Sequence, residues 1–119
     1  MRLLYDAVLP RSLSNEAPAG VELLRWDGGA VSDQELVSAA AERRCRGLIL
    51  LGGGSLEQPD LRKAAEESGV ALIAAATESP FEAKQRVLKH LGKIRKAAAD
   101  HDCLLVLAAE VRPRSDSSV

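Results

Sequence analysis

Leu48-Ile49-Leu50-Leu51 is an unbroken apolar run preceded by Gly47 and followed by Gly52-Gly53-Gly54. A run this short, bounded by glycine and hydrophobic at every position, reads as a strand buried on both faces. Central strands of parallel sheets have that character, because crossover helices cover both sides of the sheet. Around this run, further short apolar segments alternate with stretches of helical period. That is the pattern of repeated β-α units.

Strands are expected at Leu3 to Tyr5, Val21 to Trp26, Leu48 to Leu51, Val70 to Ala75 and Cys103 to Leu107. Leu9-Pro10 opens a short helix that Pro18-Ala19-Gly20 breaks, and Asp27-Gly28-Gly29 turns the chain after the second strand. Ser32-Asp33-Gln34-Glu35 is a capping box, with serine at the N-cap and glutamate three residues on. Its helix carries Leu36, Val37, Ala40 and Ala41 and runs to about Arg44. Pro59 to Ser68 is a helix that stops at Gly69. Ser79-Pro80-Phe81-Glu82 is a second capping box, opening the longest helix. That helix reaches about Ala99, with Phe81, Val87, Leu88, Leu91 and Ile94 on one apolar face. The sum is a three-layer α/β/α sandwich around a mainly parallel sheet of about five strands.

The 119 residues suit a single domain, expected over residues 1–111, with 112–119 as a flexible tail. Apolar residues make up 46% of the chain and aromatics 3%, so leucine, valine, isoleucine and alanine must fill the core. The net charge of −1 gives no global attraction to nucleic acid, and any basic footprint must be local. Cys45 and Cys103 lie outside any C-x-x-C pair, which argues against zinc and for buried free thiols. Asp6 interrupts the first apolar stretch, so no signal peptide is expected there. No run approaches the ~18 apolar residues of a membrane helix. A cytoplasmic protein without a membrane partner is the expectation.

In open parallel sheets, ligands bind beyond the carboxyl ends of the strands, where the strand order reverses. That rule selects Asp6, the segment from Gly28 to Glu35, and the triple glycine. Gly53, Gly54 and Ser55 form a candidate anion or phosphate cradle, since backbone amides there could face a ligand. Neither the Walker lysine nor the G-x-G-x-x-G spacing accompanies it. Lys84, Arg86, Lys89, Lys93, Arg95 and Lys96, with His90 among them, make the long helix a candidate basic face for RNA. It lacks aromatics for base stacking and reads more simply as a solvated helix surface.

Leu3-Leu4-Tyr5-Asp6 followed by Leu9-Pro10 resembles the opening strand-acid-helix signature of the PIN-like superfamily. The nearest likeness is to the short bacterial members of toxin-antitoxin type. Ser32-Asp33-Gln34-Glu35-Leu36 resembles that group's second acidic motif, and Leu48 to Leu51 its third strand. The resemblance covers nearly the whole chain. It implies a metal-dependent ribonuclease fold, in which carboxylates at the strand ends hold Mg²⁺ or Mn²⁺, activate a water and clamp the scissile phosphate.

The sequence departs from that pattern after the third strand. Gly53 and Ser55 stand where the family carries two aspartates, with Leu56 in the following apolar place. Asp6 and Asp33 remain as catalytic candidates, and Asp6, Asp33 and Glu35 as metal candidates. Each also has a plain structural role: Asp6 ends a strand, and Asp33 and Glu35 serve the helix cap and its dipole.

Three functional readings follow. The first is a PIN-like domain with lost or weak ribonuclease activity, acting by binding a small antitoxin-like protein or RNA. The second is an active Mg²⁺- or Mn²⁺-dependent ribonuclease using Asp6 and Asp33. The third is phosphate or nucleotide binding by the Gly52 to Ser55 loop. A homodimer is compatible with all three.

Overall fold

The computed structural model describes residues 1–29 and 31–113. Its first strand, β1 (Arg2–Tyr5), leads through a 3₁₀ turn (Arg11–Glu16) to β2 (Glu22–Arg25) and α1 (Asp33–Glu42). β3 (Gly47–Leu51) follows, then a second 3₁₀ turn (Gly53–Glu57), α2 (Pro59–Ser68) and β4 (Ala71–Ala75). The chain ends in α3 (Pro80–Lys89), α4 (Leu91–Asp100), β5 (Cys103–Val106) and β6 (Val111–Pro113).

The strands form one sheet of order β2-β1-β3-β4-β5-β6. The first five are mutually parallel and β6 runs antiparallel to β5. The α/β class with a mostly parallel sheet is therefore as the sequence indicates. The order 2-1-3-4-5 is one of the two common doubly wound orders, and it places the topological switch between β1 and β3.

Side chains along a strand point alternately to opposite faces, and the core divides accordingly. Leu3, Tyr5, Ile49, Ile73 and Leu104 join one hydrophobic cluster with Ala83 and Val87 of α3 and Leu91 and Ile94 of α4. Leu4, Leu48, Leu50, Leu72 and Cys103 join another with Leu36 and Val37 of α1 and Leu61 and Ala65 of α2. Close approach at the start of β3 requires glycine. A Cβ on Gly47 would lie 2.7 Å from Ile73 Cδ1 and 2.8 Å from Leu3 Cδ2.

One guanidinium fastens the end of the sheet opposite the switch point. Arg46 Nε donates to the carbonyl of Ala98 at 2.6 Å and Nη1 to that of Gly69 at 2.8 Å. Nη2 reaches the His101 carbonyl at 3.4 Å and Asp102 Oδ1 at 3.5 Å. The ends of α2 and α4 and the approach to β5 are thus joined by one planar fork, a geometry that lysine lacks.

Three expectations need correction. The long helix is two helices that meet at His90 (φ −106°, ψ 14°). The His90 ring is buried, with Nε2 3.1 Å from the Ala108 carbonyl, and Gly92 follows as a weak helix former. Phe81 belongs to no apolar face: it stands 61% exposed at the start of α3. Finally, Arg112 and Pro113 are not tail. They pair with Leu105 and Leu104 in a sixth strand, because the turn from Leu107 to Glu110 folds the chain back on β5. The remainder of the expected tail, residues 114–119, lies outside the described residues.

Cys45 and Cys103 are buried, as expected, and burial raises the Cys45 thiol pKa despite the lowering influence of Arg2 and Arg43. Among the described residues, no helix is long and apolar enough to cross a membrane.

Candidate functional site

The switch point lies where β1 and β3 end side by side. The Asp6 amide donates to the Ile49 carbonyl at 3.2 Å, and the Asp6 carbonyl accepts from Leu9 at 3.0 Å, which turns the chain into the 3₁₀ segment. Asp33 opens α1 behind its N-cap. Ser32 Oγ accepts from the Glu35 amide at 3.1 Å, as the capping box requires.

These two acids share one environment. The carboxyl pKa of Asp33 is raised, first by burial and then by the negative charge of Asp6. Glu35 is exposed on the helix surface. Among the described residues, no three His, Cys, Asp or Glu side chains are grouped to hold a metal ion. Of the three candidates, then, Asp6 and Asp33 are brought together and Glu35 does not complete a cluster.

The glycine segment after β3 leads into the second 3₁₀ turn. Gly52 adopts φ +83°, ψ 149°, a region essentially reserved for glycine, and its amide donates to the Ala75 carbonyl at 2.8 Å. That bond ties the end of β3 to the end of β4. Leu56 is fully buried in the cluster beneath α1 and α2 and pulls the 3₁₀ turn inward. Ser55 goes with it, 8% exposed, and its buried hydroxyl oxygen has no hydrogen-bond partner among the described residues. A Cβ on Gly53 would sit 3.4 Å from Leu105 Cδ1, whereas one on Gly54 would meet nothing within 4 Å.

The basic residues of α3 make bonds within the fold, whereas Lys93, Arg95 and Lys96 of α4 are exposed. Lys84 donates to Ser12 Oγ at 2.9 Å and pairs with Glu16 at 2.5 Å. Arg86 donates to the Ala76 carbonyl at 2.7 Å and pairs with Glu82 at 3.7 Å. Lys89 reaches the Ala108 carbonyl at 3.4 Å. These side chains staple α3 to the 3₁₀ segment and to the strand ends.

A groove the sequence reading missed runs beside β2. It measures about 1110 Å³ and is lined by Arg11, Arg25, Trp26, Asp27 and Arg43, among others. The Arg43 guanidinium carbon stands 4.9 Å from the Trp26 ring centroid, a cation–π contact. Trp26 Nε1 donates to the Gly29 carbonyl at 2.8 Å. The available signal was a solitary tryptophan beside an arginine at the end of a strand. That β2 lies at the sheet margin is a matter of topology, which local sequence does not carry.

No family model, curated protein or solved structure matches this chain.

Proposed function

We propose that this chain is a PIN-like domain, a three-layer α/β/α sandwich of the toxin-antitoxin type, that no longer works as a metal-dependent ribonuclease and acts in the cytoplasm by binding a partner. The supporting observation is the composition of the switch point. Asp6 and Asp33 converge there, but Gly53 and Ser55 hold the two places where the resemblance calls for aspartates.

The donor set does not fit a tightly held Mg²⁺ or Mn²⁺. Such ions take oxygen ligands, and negative charge in the site strengthens the binding. Two carboxylates, one already resisting ionisation beside the other, supply little of it. The Ser55 hydroxyl is a neutral oxygen sealed from solvent. A partner protein is favoured over RNA: Lys84, Arg86 and Lys89 of α3 bond within the fold, which leaves Lys93, Arg95 and Lys96 of α4 as the exposed remainder of the basic set.

Thermal melting under Mn²⁺ titration tests the reading. An ion held with a Kd of ~10 µM would add about 2.7 kcal/mol at ~1 mM Mn²⁺, by mass action on the native state. The wild-type melting temperature is expected to stay constant. A rise of several degrees that Asp6→Asn abolishes would restore the nuclease reading. The resemblance itself has a separate test. The Gly53→Asp/Ser55→Asp variant should gain Mn²⁺-dependent stabilisation and RNA cleavage. If it folds and gains neither, the PIN-like reading falls.

A further inference from the structure

Among the described residues, β2 pairs only with β1 and ends the sheet. Its parity is set by two bonds: the Glu22 amide donates to the Met1 carbonyl at 2.8 Å and the Trp26 amide to the Tyr5 carbonyl at 3.0 Å. A strand residue directs its amide and carbonyl to the same side, and the side alternates along the chain. The amides and carbonyls of Leu23 and Arg25 therefore point outward, into the arginine-lined groove.

The walls of the groove are basic on both faces of the sheet. Leu23 packs in the cluster beneath α3 and α4, and Arg25 shares its parity. Trp26 packs on the other cluster, with Arg43 stacked over it. Arg11 and Arg43 are exposed. Arg25 is paired with Asp27 at 2.5 Å, the acid among the lining residues named above. The Arg43 backbone is held by Arg2 Nη1, which donates to its carbonyl at 2.8 Å, so this wall is preformed.

We propose that β2 receives an acidic polypeptide segment as an added strand, with carboxylates meeting Arg11 on one face and Arg43 on the other. An added strand supplies donors and acceptors at the spacing that Leu23 and Arg25 present. A sugar-phosphate backbone supplies no such alternation, so the outward carbonyls of β2 would stay unpaired against RNA. A second copy of this chain would match the backbone groups but set two arginine sets face to face, a like-charge arrangement that costs affinity. Only an acidic strand satisfies both the edge and its walls. Side chains alternate across an added strand, so two adjacent acids reach both faces. This inference stands on the β2 groove and does not depend on the PIN-like reading.

The test uses the full chain and an acetylated, amidated hexapeptide of valine and threonine with two adjacent central glutamates. Amide resonances of Leu23 and Arg25 should shift on titration. Replacing the glutamates with lysines, or methylating alternate peptide nitrogens, should weaken binding more than about tenfold. Arg11→Glu/Arg43→Glu should do the same to the glutamate peptide, and should bind the lysine peptide better than wild type does. Three outcomes would each overturn the proposal: no shift at β2 with millimolar peptide, equal binding of glutamate and lysine peptides, or an oligouridylate displacing the peptide from these resonances. Concentration-dependent dimerisation that shifts the same two amides would assign the edge to self-association and also overturn it.

Discussion

Asp6 follows β1 and Asp33 opens α1, yet the charge of Asp6 reaches the carboxyl of Asp33 and opposes its ionisation. Burial is the larger cause and Asp6 the smaller. With its folded pKa above the unfolded value, Asp33 stabilises the fold relative to neutral pH only when protonated. That contribution is complete below the unfolded pKa and is lost as pH rises through the folded one. At neutral pH an ionised Asp33 is thus a liability, offset in part by its place at the positive end of α1. Asp33→Asn should raise the melting temperature at pH 7 by ~1–4 °C, and the gain should vanish near pH 3. Asp6→Asn should lower the Asp33 pKa, measured by carboxyl-carbon NMR titration, without restoring it fully, because burial remains.

Ser55 and Leu56 are neighbours buried for different reasons. Leu56 fills the cluster under α1 and α2, so Leu56→Ala should cost ~2–5 kcal/mol in urea denaturation. The Ser55 hydroxyl is buried without a described partner, so Ser55→Ala removes a desolvated polar group. It should be neutral or stabilising by up to about 1 kcal/mol in the same measurement. A loss of stability exceeding that of an average surface substitution would mean the hydroxyl has a role this packing does not explain.

Arg46 offers a test of shape against charge. Its fork engages the carbonyls of Ala98, Gly69 and His101 together. Arg46→Lys keeps the charge but cannot span those acceptors, and should cost ~1–3 kcal/mol in chemical denaturation. Arg46→Met should cost a similar amount. Equality of the two variants would show that the fork, not the charge, holds this end of the sheet.

Local chemistry made much of the fold legible. The buried run at Leu48 to Leu51, the serine caps at Ser32 and Ser79, and the helix from Pro59 to Ser68 all lie where the sequence indicates them. Their signals are short-range: apolar continuity, a side-chain oxygen before a helix, proline at the first turn. β6 was hidden because it contains a proline and an arginine and exists through pairing with β5. The break at His90 was hidden because it depends on a ring buried beneath the turn after β5. At the site, the carboxyl-end rule, which needs only element order, selected the segments that carry Asp6 and Asp33. The inward seating of Ser55 did not, since Leu56 drags it there. Nor did the β2 groove, whose walls come from three separate segments.

The two margins of the sheet are unlike. At one, β6 is three residues long, carries Arg112 and closes with Pro113, which has no amide to donate. Short length, charge and proline all discourage a further strand. The other margin, at β2, keeps its outward amides and carbonyls. A strand that joins this sheet therefore does so at β2 rather than at β6, so growth by strand addition runs from one margin alone.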